Sequence, residues 1–230
     1  MMNVYAVNLE CDFDINKFRA LMTYCSKEKI ERIKKFYNYE DALRCLVADI
    51  LVRYVINTIY KIENRKIVFY QNKYGKPFIK NFANIHFNVS HSGSWVVCAV
   101  DNTHIGIDIE QIKPIDVTIA EYFCQKCEID DLMNKTKVAK LLYFYEIWAL
   151  KESYTKMKGE GLNIKLDSFS IKHSKSDLIL NCEEDSKICY FKQYNIDNNY
   201  KMSLCSNKQE FPNQVIIKQL NDIYEQILKI

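Results

Sequence analysis

Residues 103–112 read THIGIDIEQI, and the alternation of isoleucine with Gly106, Asp108 and Glu110 constrains the fold more than any other stretch. In a strand, side chains two apart share a face, so Ile105, Ile107 and Ile109 point one way and Gly106, Asp108 and Glu110 the other. The isoleucines belong in a core. Gly106 has no side chain and is expected to leave open space beside the two acids. Two like charges this close repel unless solvent or a cation separates them. A solvated strand face is the plain reading of such a pair.

A second stretch weighs against that reading. KVAKLLYFYEIWALKESYTKMKG (137–159) has the pattern of a long helix ended by Gly159. Its apolar stripe runs Leu141, Tyr145, Trp148 at i, i+4 and i+7, and the next position, i+11, is Glu152. A buried, unpaired carboxylate is costly, so Glu152 needs a cation beside it. Lys156, four residues on, could pair with it on the helix surface, but such pairs are worth only about 0.2–0.5 kcal/mol. That pairing leaves unexplained why both residues continue the Trp148 stripe. A divalent cation held by Asp108, Glu110 and Glu152 explains both oddities. Three oxygen donors without histidine or thiolate suit Mg²⁺ better than Zn²⁺. Mg²⁺ keeps water and phosphate oxygens in its shell, which points to a phosphorylated substrate.

Around these stretches the chain reads as α+β. VYAVNL (4–9) alternates as a strand, and two short helices follow, opening on Asp14 and Ser26 as caps. Residues 40–60 carry apolar side chains at helical spacing. IVFYQNKYGKPFI and HFNVSHSGSWVVCAVDN read as β segments, the second broken by a turn at SHSG that leaves Ser90 and His91 at a strand end. After THIGIDIEQI come short helices at VTIAEYF and EIDDLMN, the long helix, and strands at FSIK, LILNC, KICYFKQYNI and YKMSLC. The order is the same in each half, so two similar α+β lobes are expected, 1–103 and 104–230, each with an antiparallel sheet packed on a long helix. NDIYEQILKI at the end reads as an appended helix.

Composition narrows the function. The 230 residues carry a net charge of +3, too small for bulk electrostatics to select a nucleic acid or a membrane, so any anion site must be local. No apolar run is long enough to span a bilayer, and the start, MMNVYAVNLECDFDIN, lacks a secretory pattern. The nine cysteines are odd in number and scattered, as in a reduced, cytoplasmic protein. Cys124 and Cys127 have CxxC spacing without the further ligands a zinc site needs. Ser90 and His91 beside Gly93 can contact phosphate, as can Lys29, Arg32, Arg44 and Lys76 if the fold gathers them.

FNVSHSGSW, GIDIE and WALKESYTK, in this order and spacing, resemble the phosphopantetheinyl transferases, specifically the surfactin-synthetase type with two fused lobes. The resemblance extends through SKEKIERIKKFYNYEDALRCLVADILVR, KYGKPFI, LDSFSI and YKMSLC, nearly the whole chain apart from its last dozen or so residues. It implies pseudo-twofold α+β lobes with the cofactor between them, acting as a monomer. It further implies transfer of 4′-phosphopantetheine from coenzyme A to a serine of an acyl, peptidyl or aryl carrier protein, releasing adenosine 3′,5′-bisphosphate. Asp108, Glu110 and Glu152 would hold Mg²⁺ on the pyrophosphate. His91 and Lys156 would meet the phosphates, Ser90 and Lys76 the nucleotide, and Lys29, Arg32 and Arg44 the 3′-phosphate end. Two positions depart from the expected pattern: Arg32 stands where lysine is usual, and Cys45 where a small hydroxyl residue is common.

A metal-ligating carboxylate is a poor proton acceptor, so Glu152 as general base would work through a metal-held water, and the resemblance offers Glu128 as a second candidate. The carrier would dock on residues 111–133, where Ile112, Tyr122 and Phe123 accompany Lys113 and Lys126, although both aromatics could equally be core. Read without the resemblance, the clustered acids and bases also fit a Mg²⁺-dependent phosphodiesterase or nuclease, or a binding module without turnover.

Overall fold

The computed structural model describes residues 1–11, 13–174, 177–182 and 188–229. The first half runs β1 (Asn3–Asn8), α1 (Ile15–Met22), α2 (Lys27–Ile33), α3 (Tyr39–Tyr60), a hairpin of β2 (Phe69–Gln71) and β3 (Pro77–Ile79), then β4 (His86–Ser92) and β5 (Trp95–Asp101). The second runs β6 (Ile105–Gln111), a 3₁₀ segment at Val117–Tyr122, α4 (Lys126–Met133), α5 (Lys137–Lys158), a hairpin of β7 (Phe169–Ser174) and β8 (Asp177–Cys182), then β9 (Tyr190–Tyr194) and β10 (Tyr200–Ser206). A tail adds β11 (Ile216–Lys218) and α6 (Leu220–Ile227).

The two halves share one topology. Strand, short helices, long helix, hairpin and two strands recur in the same order, and the sheet orders β1-β5-β4 and β6-β10-β9 correspond. Local chemistry explains the helix ends. Asp14 accepts the Asn16 and Lys17 amides and Ser26 that of Lys29, satisfying first-turn donors of α1 and α2. Gly159, at φ 73°, closes α5 in the left-handed region, where a side chain would be strained.

Three apolar clusters hold the chain together. One surrounds α3, one lies beneath α5, and the third fills the space between the sheets, where Ile105, Ile107 and Ile109 are buried with Val4, Ala6, Val97, Met202 and Leu204. The isoleucine face of β6 is therefore an inter-lobe core. β4 and β6 are edges of different sheets, yet their backbones are not left bare. Asn88 Oδ1 accepts the Ile107 amide at 2.8 Å and Ser92 Oγ the Gln111 amide at 3.1 Å, so side chains of one lobe satisfy donors of the other.

Three expectations need correction. Gly106 does not leave open space: a Cβ there would lie 2.0 Å from the Ser153 carbonyl oxygen and 2.2 Å from the Met157 amide, because the α5 backbone presses directly on β6. The SHSG turn comes later than expected. β4 continues through Ser92 and reverses at Gly93, at φ 53°, so Ser90 and Ser92 share a strand face. The tail does not stay with residues 104–205. β11 pairs in parallel with β1, and Leu220, Ile223 and Ile227 are buried in the α3 cluster, so the chain returns to close the first lobe.

Gly106→Ala tests the helix–strand contact. Neither obstructing atom belongs to a movable side chain, so the substitution should cost about 3 kcal/mol, the upper end for overpacking. At about 2–4 °C per kcal/mol for a chain of this size, the thermal midpoint should drop by roughly 6–12 °C, as differential scanning calorimetry would measure.

Candidate functional site

A cleft of ≈ 790 Å³ opens between the lobes. Its first-lobe wall comes from α2, α3, the β2–β3 hairpin and β4, and its second-lobe wall from β6 and α5. Asp108, Glu110, Glu152 and Lys156 line one part, while Lys29 and Arg32, three residues apart on α2, line another. Those two cations carry no side-chain ion pair among the described residues.

Serines of β4 orient the acids of β6. Ser90 Oγ donates to Asp108 Oδ1 at 2.9 Å and accepts from Lys156 Nζ at 2.9 Å; Lys156 Nζ also reaches Asp108 Oδ1 at 2.5 Å. Lys156 therefore pairs with Asp108 across the cleft wall, whereas the helix spacing had suggested Glu152. One position further along β6, Ser92 Oγ donates to Glu110 Oε2 at 2.9 Å and Trp148 Nε1 to Glu110 Oε1 at 3.2 Å. Ser92 and Trp148 were not singled out for this role from the sequence. The signal for Ser92 was its two-residue spacing from Ser90, hidden by reading SHSG as the turn. Glu152 lines the same cleft and its carboxylate makes no hydrogen bond among the described residues.

All three carboxyls are pushed above their ordinary range. Burial is the main cause for each; Asp108 adds repulsion at Glu110 and Glu152, and Lys156 partly offsets the rise at all three. Asp108 is 2% exposed, and its Oδ2 is buried without a hydrogen-bond partner. A hard cation would satisfy that oxygen, and the three oxygen donors have the right chemistry for one. Among the described residues, however, no three His, Cys, Asp or Glu side chains are gathered to hold a metal ion unaided. The expected three-carboxylate cage is not closed, since Lys156 occupies Asp108 Oδ1. What stands here is an acidic wall suited to an ion that takes its remaining ligands from substrate and water.

His91 lies at the cleft rim, where its residue keeps some solvent contact while the protein crowds its ring; that partial desolvation, followed by the Lys156 and Arg44 charges, holds its imidazole below the usual range. Cys45 lines the cleft from α3. Three other expected residues face elsewhere. Arg44 lies outside the cleft lining, donating to the Gly93 carbonyl at 2.8 Å and pairing with Asp41. Lys76 is buried, its ammonium on the carbonyls of Lys156 at 2.6 Å, Met157 at 2.8 Å and Ile105 at 3.3 Å; the residue is absent from the lining of the main cleft and lines a smaller adjoining cavity of ≈ 310 Å³ with Glu152 and Lys156. Burial holds that ammonium down to about 8. Glu128 is 0% exposed, paired with Lys151 at 2.9 Å and accepting the Gln125 and Ile171 amides. It ties α4, α5 and β7 together and is too enclosed to act as a base.

The expected docking stretch divides. Phe123 is core, its ring 4.8 Å from Trp148 and 5.5 Å from Phe144, and Ile112 packs against the same cluster. Tyr122 is 86% exposed, and Ile115 and Ile119 are exposed with it.

A family model described as 4′-phosphopantetheinyl transferase, N-terminal, matches residues 14–103, and one described as the 4′-phosphopantetheinyl transferase superfamily matches residues 104–205. The chain is 39% identical over 228 residues to 4′-phosphopantetheinyl transferase Sfp of Bacillus subtilis (strain 168), covering 99% of this chain and 100% of that one. It is 40% identical over 215 residues to 4′-phosphopantetheinyl transferase ffp of Bacillus subtilis, covering 93% and 96%. Identity to 4′-phosphopantetheinyl transferase gsp of Aneurinibacillus migulanus is 35% over 218 residues, covering 95% and 91%.

The raised carboxyls set a pH dependence. Where a folded carboxyl has a higher pKa than the unfolded one, the native state binds more protons in the window between them, so stability falls as pH rises through it. Glu152→Gln removes one such charge without removing a hydrogen bond. Its thermal midpoint should exceed that of the parent by a few degrees at pH 8 and match it near pH 4, below the window, as scanning fluorimetry across pH would show.

Proposed function

Because the chain belongs to the 4′-phosphopantetheinyl transferases, we propose that this cleft binds coenzyme A along its length, cationic α2 at the adenosine end and the acidic wall at the pyrophosphate. The protein transfers 4′-phosphopantetheine from coenzyme A to a serine of an apo carrier protein, leaving adenosine 3′,5′-bisphosphate. The observation that carries the assignment of ends is the placement of Lys29 and Arg32, without a side-chain ion pair among the described residues, on a wall whose Asp49 is neutralised by Arg53 and which also carries Glu28, opposite Asp108, Glu110 and Glu152.

Lys29 and Arg32 take the 3′-phosphate. Asp108, Glu110 and Glu152 would hold Mg²⁺, which supplies Lewis-acid stabilisation of the pyrophosphate when bound. Ser90 and Ser92 keep the Asp108 and Glu110 oxygens turned toward the cleft, and the orphan Oδ2 of Asp108 supports that ligand role. As the carrier serine Oγ attacks the β-phosphorus, its proton leaves through a water held beside Glu152, which is desolvated and makes no hydrogen bond among the described residues, rather than passing to that carboxylate directly. The bond from that phosphorus to the bridging oxygen breaks, and the electron pair leaves on the departing 5′-phosphate. Lys156 and the His91 ring N–H face that negative charge. The carrier docks on exposed Ile115, Ile119 and Tyr122, with Lys113 and Lys126 meeting acidic flanks of a carrier helix. Both walls come from one chain, which supports a monomer. The described cysteines form no disulfide with one another, which supports a reducing cytoplasmic setting, and among the described residues no helix is long and apolar enough to cross a membrane.

The reading is tested by incubating the protein with coenzyme A, Mg²⁺ and a panel of apo carrier proteins, then taking intact carrier masses with and without EDTA. A gain of one phosphopantetheine that EDTA abolishes is expected. Asp108→Ala should lower transfer on the order of 10²-fold or more with the fold retained by circular dichroism; an unchanged rate at saturating Mg²⁺ would remove Asp108 from the metal site. Tyr122→Ala should raise KM for the carrier about tenfold and leave that for coenzyme A unchanged, the mark of an exposed anchor.

A further inference from the structure

The last turn of α5 ends in carbonyls that no residue of its own helix can satisfy. Donors from the opposite lobe fill them. Lys76 Nζ sits on the Lys156 and Met157 carbonyls, and Asn72 Nδ2 donates to the Gly159 carbonyl at 2.8 Å. The same ammonium reaches the Ile105 carbonyl at the start of β6. Both donors come from the turn between β2 and β3, which is itself tightly built. Asn72 Oδ1 accepts the Tyr74 and Lys76 amides, the Asn72 amide donates to the Lys76 carbonyl, and Gly75 takes φ 87°.

The side of Lys76 is equally constrained. A Cβ on Gly159 would lie 2.5 Å from Lys76 Cδ, so the stem of the lysine passes directly beneath the residue that ends the helix. No carboxylate pairs with this buried ammonium among the described residues. The negative end of α5 and three carbonyls take that place.

The carbonyl that Lys76 holds most closely belongs to Lys156, the residue whose own ammonium bridges Ser90 of the first lobe and Asp108 of the second. We infer that Lys76 is a positioning residue: with Asn72 it latches the first-lobe hairpin to the end of α5 and so fixes where Lys156 meets the coenzyme A phosphates. It acts through the helix end and is not itself a ligand to the nucleotide. The inference rests on the transferase reading of the cleft.

Lys76→Met keeps the stem and removes the ammonium. Asn72→Asp keeps the acceptor for the Tyr74 and Lys76 amides and replaces the donor on the Gly159 carbonyl. Binding is measured by isothermal titration calorimetry for coenzyme A, and by competition for adenosine 3′-monophosphate, which lacks the pyrophosphate. Each variant should weaken coenzyme A about tenfold, or about 1.4 kcal/mol, and leave adenosine 3′-monophosphate within about twofold. In a Lys156→Ala background, Lys76→Met should cost no more than about a further twofold, because residues acting as one unit are non-additive. Equal weakening of both ligands, or losses that multiply with Lys156→Ala, would make Lys76 a direct nucleotide contact and overturn the latch. Unchanged coenzyme A binding with only a lowered thermal midpoint would overturn it as well. If Lys76→Met does not fold, Asn72→Asp decides by the same measurements. Failure of the parent protein to bind coenzyme A would overturn the reading of the cleft, and the latch with it.

Discussion

The contact on which the rest depends is the one between β4 and β6, edges of different sheets joined by side chains rather than by a backbone ladder. Asn88 and Ser92 accept β6 amides, while Ser90 and Ser92 donate to the β6 carboxylates. Lobe docking and carboxylate orientation are therefore one set of hydrogen bonds. A shift of either lobe along this seam would disturb Asp108 and Glu110 together. The opposite face of β6 makes such a shift costly, since its three isoleucines are buried between the sheets. α5 resists it from the remaining side, its backbone seated on Gly106.

That rigidity lets the fold tolerate charges it would otherwise avoid. Three carboxyls whose ionised forms are disfavoured by burial line one cleft, with Lys156 as the cation bound directly to one of them. Had these acids stood on a loop, the chain could have relieved the strain by turning them to water. Held on a strand and a helix, they remain pointed at the place where a substrate's counter-ion would compensate them. The buried pair Lys151–Glu128 uses similar chemistry to the opposite end. Enclosed on all sides and fully hydrogen bonded, it fixes α5 against α4 and β7 and leaves no valence for a ligand.

Much of this was legible in the sequence because it follows from periodicity. Alternation along THIGIDIEQI separated the core face from the acidic face, and the interruption of the α5 stripe at Glu152 singled out the third acid. What failed was everything that depends on a neighbour distant in sequence. Gly106 looks like vacant space in a strand taken alone, and only the path of α5 makes it a point of contact. Lys76 and Glu128 are charged residues, and nothing local distinguishes a cation that will cap another lobe's helix from one that will meet a phosphate. Phe123 and Tyr122 are adjacent aromatics, one inward and one outward, and a 3₁₀ segment gives no periodicity long enough to sort them. The destination of the tail was invisible for the same reason, since β11 is three residues long and its partner, β1, lies at the other end of the chain.

The repeated topology also explains why the cleft has unlike walls. α3 and α5 occupy corresponding places in their lobes, and both reach the cleft, but they present different chemistry to it. α3 contributes Cys45, Ala48, Val52 and Asp49, the last paired with Arg53, and leaves the cations that line the cleft to α2. α5 contributes Trp148, Glu152 and Lys156. Two identical lobes related by a twofold axis would have to place the same groups on both walls, doubling either the acids or the cations at the centre. Fusion into one chain removes that restriction and leaves each wall free to carry its own groups. The tail is the cost of that arrangement in chain length: it leaves β10, crosses the seam and adds a strand and a helix to the lobe of α2 and α3, joining the two unlike walls by a second covalent path.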